Sequence, residues 1–124
     1  MKEDFRTPQL VRRTDAPSFA SEGIGIVQGI AHELGEAGRF SFGVFTSEPG
    51  AKIPPHHHEY EVAVYLVRGR AAFEAGGERF ELRPGDFFQL PRGIVHGEET
   101  VGDESAEFIF GHVGGTETVF VTKD

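Results

Sequence analysis

Five of the six histidines follow Pro55, and His56, His57 and His58 stand in a row. Side chains alternate along an extended strand, so His56 and His58 project to one face and His57 to the other. Two imidazoles on one face can grip a single cation. His96 comes after Pro91-Arg92-Gly93-Ile94-Val95, a turn leading into a strand, from which a neighbouring strand can supply a third nitrogen. Three nitrogens leave coordination positions open. Taken alone, a triplet after Pro54 and Pro55 is more often a solvated turn than a ligand set, and His96 alone is more often an ordinary hydrogen-bonded histidine. The triplet is internal and too short for an expression tag.

The chain has no cysteine. That excludes disulfides, thiolate metal sites and cysteine nucleophiles together, so any metal must be held by imidazole and carboxylate. The expectation is one divalent transition metal ion, and imidazole suits Zn, Fe, Mn, Ni and Cu without choosing among them. Two further groups are candidates for moving protons: Glu98, two residues past His96 and on its face of a regular strand, and His112 on the last long strand. A carboxylate near a barrel mouth is more often simply solvated. The phenylalanines, among them Phe42, Phe45, Phe87, Phe88, Phe108 and Phe110, are first of all core residues, and those that line a pocket would suit a ring-containing substrate.

Short segments must position these groups. Runs of Val, Ile, Phe and Tyr between Gly, Pro and charged turns predict an all-β chain. Strands are expected near 24–34, 40–48, 61–68, 70–75, 78–82, 86–90, 94–100, 105–113 and 116–122. The turns at Arg68-Gly69, Ala75-Gly76-Gly77 and Arg83-Pro84-Gly85-Asp86 are legible as such. Residues 31–37 alone offer a helical turn. With 124 residues, one domain is expected over 21–124, preceded by an arm over 1–20 that pairs along a sheet edge or packs on a partner subunit. A net charge of -8 has the wrong sign for a phosphate backbone, so no nucleic acid is expected. No apolar run approaches the length of a membrane span, and Met1 to Arg6 is charged rather than signal-like, so no membrane and a cytoplasmic location are expected.

The spacing of Gly50, His56, His58 and Gly69 resembles the first motif of the cupins. The run from Gly85 through Pro91 and Gly93 to His96 resembles the second, departing only where a final Asn is replaced by Thr100. The resemblance covers roughly residues 40–113 and implies a double-stranded β-helix, the cupin jelly-roll barrel. It also implies a metal held by three histidines and one glutamate, and a homodimer. His56, His58 and His96 match the histidine positions. The glutamate position is Val62, with Glu61 one residue early, and on a regular strand that offset turns Glu61 to the opposite face unless a bulge corrects it.

Two classes of function follow. One is a metal-dependent enzyme on a small organic molecule, such as a dioxygenase, isomerase or polyketide cyclase, all of which occur among similar small cupins. The other is a non-catalytic module that binds or senses a small molecule, which the missing glutamate favours. A barrel with no occupied site is a third.

Overall fold

Among the described residues the apolar runs become nine strands separated by the Gly and Pro punctuation. The computed structural model describes residues 8–120: β1 (Ser18–Ser21), β2 (Ile24–Glu33), β3 (Arg39–Ser47), β4 (Lys52–Arg68), β5 (Ala71–Ala75), β6 (Glu78–Leu82), β7 (Phe87–Leu90), β8 (His96–Thr100) and β9 (Ala106–Phe120). Among the described residues, helix is confined to single 3-10 turns at Arg13–Asp15 and Gly35–Ala37, the second within the stretch that offered a helical turn. All pairings are antiparallel, in the order β1-β2-β3-β9-β4-β8-β5-β6, with β7 on β4. The fold is the expected all-β double-stranded β-helix.

β4 organises the barrel. Its first part pairs with β8, Lys52 with Glu99 and His56 with His96. Its second part pairs with β9 and β7, Leu66 with Phe108 and Val64 with Phe88. One strand therefore serves both walls and presents its middle, residues 56–60, where the walls meet. Pro54 and Pro55 lie in the register shift between Ile53 and His56, a place in a ladder where a missing N–H is tolerated. That is why two prolines do not end the strand.

The walls pack through Leu66, Phe73, Leu82, Leu90, Ala106 and Phe108, all buried. Phe73 of β5 meets Phe108 of β9 edge-on at 5.9 Å and Phe88 of β7 at 4.8 Å, the geometries that ring quadrupoles favour. The β5–β6 hairpin turns through Gly76 and Gly77, both at positive φ, which is what a two-residue turn matching the strand twist requires.

Two boundaries differ from the expectation: β4 begins at Lys52 rather than near 61, and β9 runs on from Ala106 where two strands were expected. Ser18–Ser21, at the end of the anticipated arm, pairs along the edge of β2. The register of β9 slips opposite β4 between His58–Thr118 and Tyr60–Gly114, so the Gly114-Gly115 pair marks an irregularity within a strand. Residues 1–7 of the arm and 121–122 of the last expected strand lie outside the described residues.

Candidate metal centre

His56, His58 and His96 bring one ring nitrogen each into a group whose members all lie within 4.8 Å of one another. The alternation of β4 supplies the first two and the direct pairing of His56 with His96 supplies the third. Ring centroids are 4.2 Å apart for His56 and His96, 4.8 Å for His56 and His58, and 5.2 Å for His58 and His96.

Backbone carbonyls orient two of the rings. His56 Nδ1–H donates to the Pro54 carbonyl at 2.8 Å, and His96 Nδ1–H donates to the Ile94 carbonyl at 3.3 Å. Each bond fixes the tautomer whose lone pair is on Nε2, the usual arrangement behind a metal-binding histidine. Burial, opposed by the Pro54 carbonyl, holds His56 below its ordinary value; burial and then the neighbouring His56 push His96 down to about 4. Both are neutral at pH 7, the form that binds metal. The donor set, its tautomers and its charge state thus fit a divalent transition metal ion.

The group borders a cavity of about 300 Å³ that reaches into the barrel, near the lower end of the range for small-molecule sites, roughly 300–1,000 Å³. Phe45, Phe73, Phe108 and Phe110 give it aromatic walls, with Ile26 and Val64 between them. Of the phenylalanines singled out in the sequence, Phe88 packs against the core cluster. Phe42 and Phe87 face outward, 46% and 81% exposed.

The polar residues on the cavity wall are few. Glu98 is there, between the cross-strand partners Ile53 and Phe73, and burial pushes its carboxyl up to about 7. His112 lines the opposite wall, where burial and then Arg39 hold it below its ordinary value. Tyr60, which sequence reasoning missed, stacks on His58 at 4.7 Å and on His112 at 3.9 Å, both nearly parallel. Its signal was there: His56, His58, Tyr60, Val62 and Val64 share one parity and one face.

Glu61 is not brought to the group. It is exposed on the outer face, where Gln89 Nε2 donates to its carboxylate. The register irregularity between His58 and Tyr60 does not correct its parity, because Tyr60 and Val62 on either side of Glu61 both line the cavity with His58. Val62 takes the inward position with two methyls. His57 also faces away, its Nδ1 3.4 Å from Glu59.

Comparison with known proteins agrees with this architecture. The chain is 38% identical over 69 residues to a curated protein named polyketide synthase CurC from Streptomyces cyaneus, covering 55% of this chain and 45% of that one. It is 35% identical over 48 residues to quercetin 2,3-dioxygenase of Bacillus subtilis, 38% of this chain and 14% of that one. The chain thus matches less than half the length of either curated relative. Among solved structures, the polyketide cyclase RemF from Streptomyces resistomycificus superposes with a TM-score of 0.75 at 25% identity, over 95% of this chain and 88% of that one. The family model described as the cupin domain matches residues 43–112, more than half of the sequence and the stretch that carries His56, His58 and His96, so the chain belongs to the cupin family.

Proposed function

We propose that this chain is a metal-dependent enzyme that closes a ring in a small polyketide-like molecule rich in carbonyl and enol oxygens. The observation that carries the proposal is the placement of three histidines, two of them with tautomers fixed by backbone carbonyls, on the wall of an aromatic-lined cavity. His56, His58 and His96 would hold one divalent ion, of which Zn, Fe, Mn, Ni and Cu all suit imidazole. Bound there, the ion would supply Lewis acidity toward a substrate oxygen.

The chain's own residues do the rest. The phenylalanine walls hold the carbon skeleton and exclude water, which strengthens every polar contact inside. His112, neutral at pH 7, takes a proton from a carbon flanked by two carbonyls and returns it to the oxygen left when the new C–C bond forms. Loss of water completes the ring. No oxidant is consumed. Tyr60, clamped between His58 and His112, keeps the proton carrier and the triad in fixed relation.

Cyclisation is favoured over oxygenation because, among curated relatives, the match to the protein named polyketide synthase CurC spans 55% of this chain at 38% identity and that to the dioxygenase 38% at 35%, and the solved cyclase is 25% identical over 95% of this chain. The two separate cleanly in an assay. Zn-loaded protein, incubated without O2 with a linear aromatic poly-β-ketone, is expected to yield a product lighter by one water by mass spectrometry, and His96→Ala is expected to lose it. Turnover only with a redox metal, and only with uptake of O2, contradicts cyclisation.

The proposed assembly is a homodimer. The outer face of β3 and β9 carries Phe42 and Val113, each 46% exposed, on neighbouring strands where Phe40 pairs with Val113 and Phe42 with Gly111. Exposed apolar clusters of this kind mark protein contacts.

A further inference from the structure

The centre lacks an acid at Val62, yet its cavity wall holds one carboxylate, Glu98. Glu98 stands two residues from His96 on the same face of β8, flanked across the strands by Ile53 and Phe73. Among the described residues it has no ion pair and no hydrogen bond. A carboxylate in apolar surroundings with no cation beside it is destabilised, and proteins resolve such a charge by pairing it or by coordinating a metal. The three histidines have the complementary deficiency: neutral imidazoles bring no negative charge to a divalent ion. One ion would satisfy both.

We infer that Glu98 supplies the carboxylate of this metal centre, from β8, in place of the acid that β4 lacks at Val62. The inference rests on the assignment of the three histidines as a metal site. His56 and His58 from β4 and His96 and Glu98 from β8 are joined where His56 pairs with His96, and because the strands are antiparallel Glu98 lies on the side of that junction away from His58, across from Ile53. The Glu98 carboxylate lies outside the 4.8 Å group of nitrogens, and the cavity leaves it room to turn toward them. Val62 and Glu98 lie on different strands, so losing the donor at one position does not remove the means of supplying it from the other. The exposed Glu61, already bonded to Gln89, plays no part.

Co(II), whose visible absorption reports its ligands, is the probe. Chelator-stripped wild type, Glu98→Gln, Glu61→Gln and His96→Ala are titrated with Co(II) against a chromophoric competitor. Glu98→Gln is expected to bind at least about tenfold more weakly with altered visible bands, while Glu61→Gln matches wild type in both. Unchanged affinity and spectrum in Glu98→Gln, or an equal loss in Glu61→Gln, overturns the inference. If wild type binds no Co(II), or His96→Ala binds it as well as wild type, the histidine site itself is wrong and the inference falls with it. Glu98→Asp, which keeps the charge and shortens the reach, keeps the inference testable should the Gln variant not fold: a shifted spectrum supports coordination, and an unchanged one overturns it.

Discussion

His56 and His96 are direct partners across β4 and β8, their rings 4.2 Å apart, and each donates its Nδ1 proton to a carbonyl two residues back in its own chain. The same local device on two strands aims two neutral imidazoles at one point.

Their neutrality gives the metal-free protein a readable pH dependence. His96 is held at about 4, so the unfolded chain binds more protons than the folded one between that value and the ordinary 6.5, and stability falls with acid over that window. Glu98, raised from 4.5 to about 7, acts in the opposite sense: its contribution is present below 4.5 and lost as pH rises through 7. His56 and His112, also held low by burial, act with His96, so Glu98 offsets only part of the acid sensitivity in the wild type. Glu98→Gln is expected to raise metal-free stability at pH 7.5 by about 1–2 kcal/mol, discounted for partial solvent screening, and to expose a steep loss toward pH 4. Urea melts across pH check both, and a flat profile in the variant contradicts them.

The Tyr60 stack offers a second test. Its ring lies against His58 on one side and His112 on the other, so Tyr60→Leu is expected to weaken metal binding about tenfold, the size of a supporting-residue effect. Tyr60→Phe keeps the ring and is expected to keep the affinity. Equal losses in both variants would assign the effect to the hydroxyl instead.

Gly69 lies at φ +81°, and a Cβ there would stand 2.4 Å from the Ser105 carbonyl oxygen and 2.7 Å from Ala106 Cα. Backbone, not a flexible side chain, blocks the space. Gly69→Ala is therefore expected to destabilise the protein by about 2–4 kcal/mol, read as a lowered denaturant midpoint with the triad sequence intact. A midpoint within error of wild type would show that β4 and β9 can separate there at little cost.

The sequence made most of this site legible because strands carry their geometry in a two-residue period. His56, His58 and Val62 share a parity that needs no structure to read, and so does the outward turn of Glu61. The motif glycines and Pro91 mark real turns. What the sequence obscured was continuity. Pro54-Pro55 and Gly114-Gly115 resemble strand ends, but tertiary pairing carries β4 and β9 through them because irregular register absorbs the missing donors and the extra residues. Only the pairing of β4 with β9 shows that Tyr60 sits between two histidines, and only the pairing of β8 with β4 and β5 shows that Glu98 is boxed by Ile53 and Phe73. Periodicity gives a residue's face, not its neighbours.

The outer apolar face has a direct consequence for assembly. Light scattering is expected to find two chains per particle, and Phe42→Glu, which puts a charge on a side chain 46% exposed, is expected to give single chains with an unchanged circular dichroism spectrum. A monomeric wild type contradicts the proposed dimer.

Elemental analysis tests the metal centre on His56, His58 and His96 most directly. Protein stripped with chelator, reloaded with Zn, Fe, Mn or Ni and freed of excess ion is expected to retain one metal per chain, and His96→Ala to retain almost none. Less than roughly 0.1 metal per wild-type chain after every reconstitution, in a fold whose binding energy should hold the ion through dialysis, contradicts the site and the chemistry proposed on it.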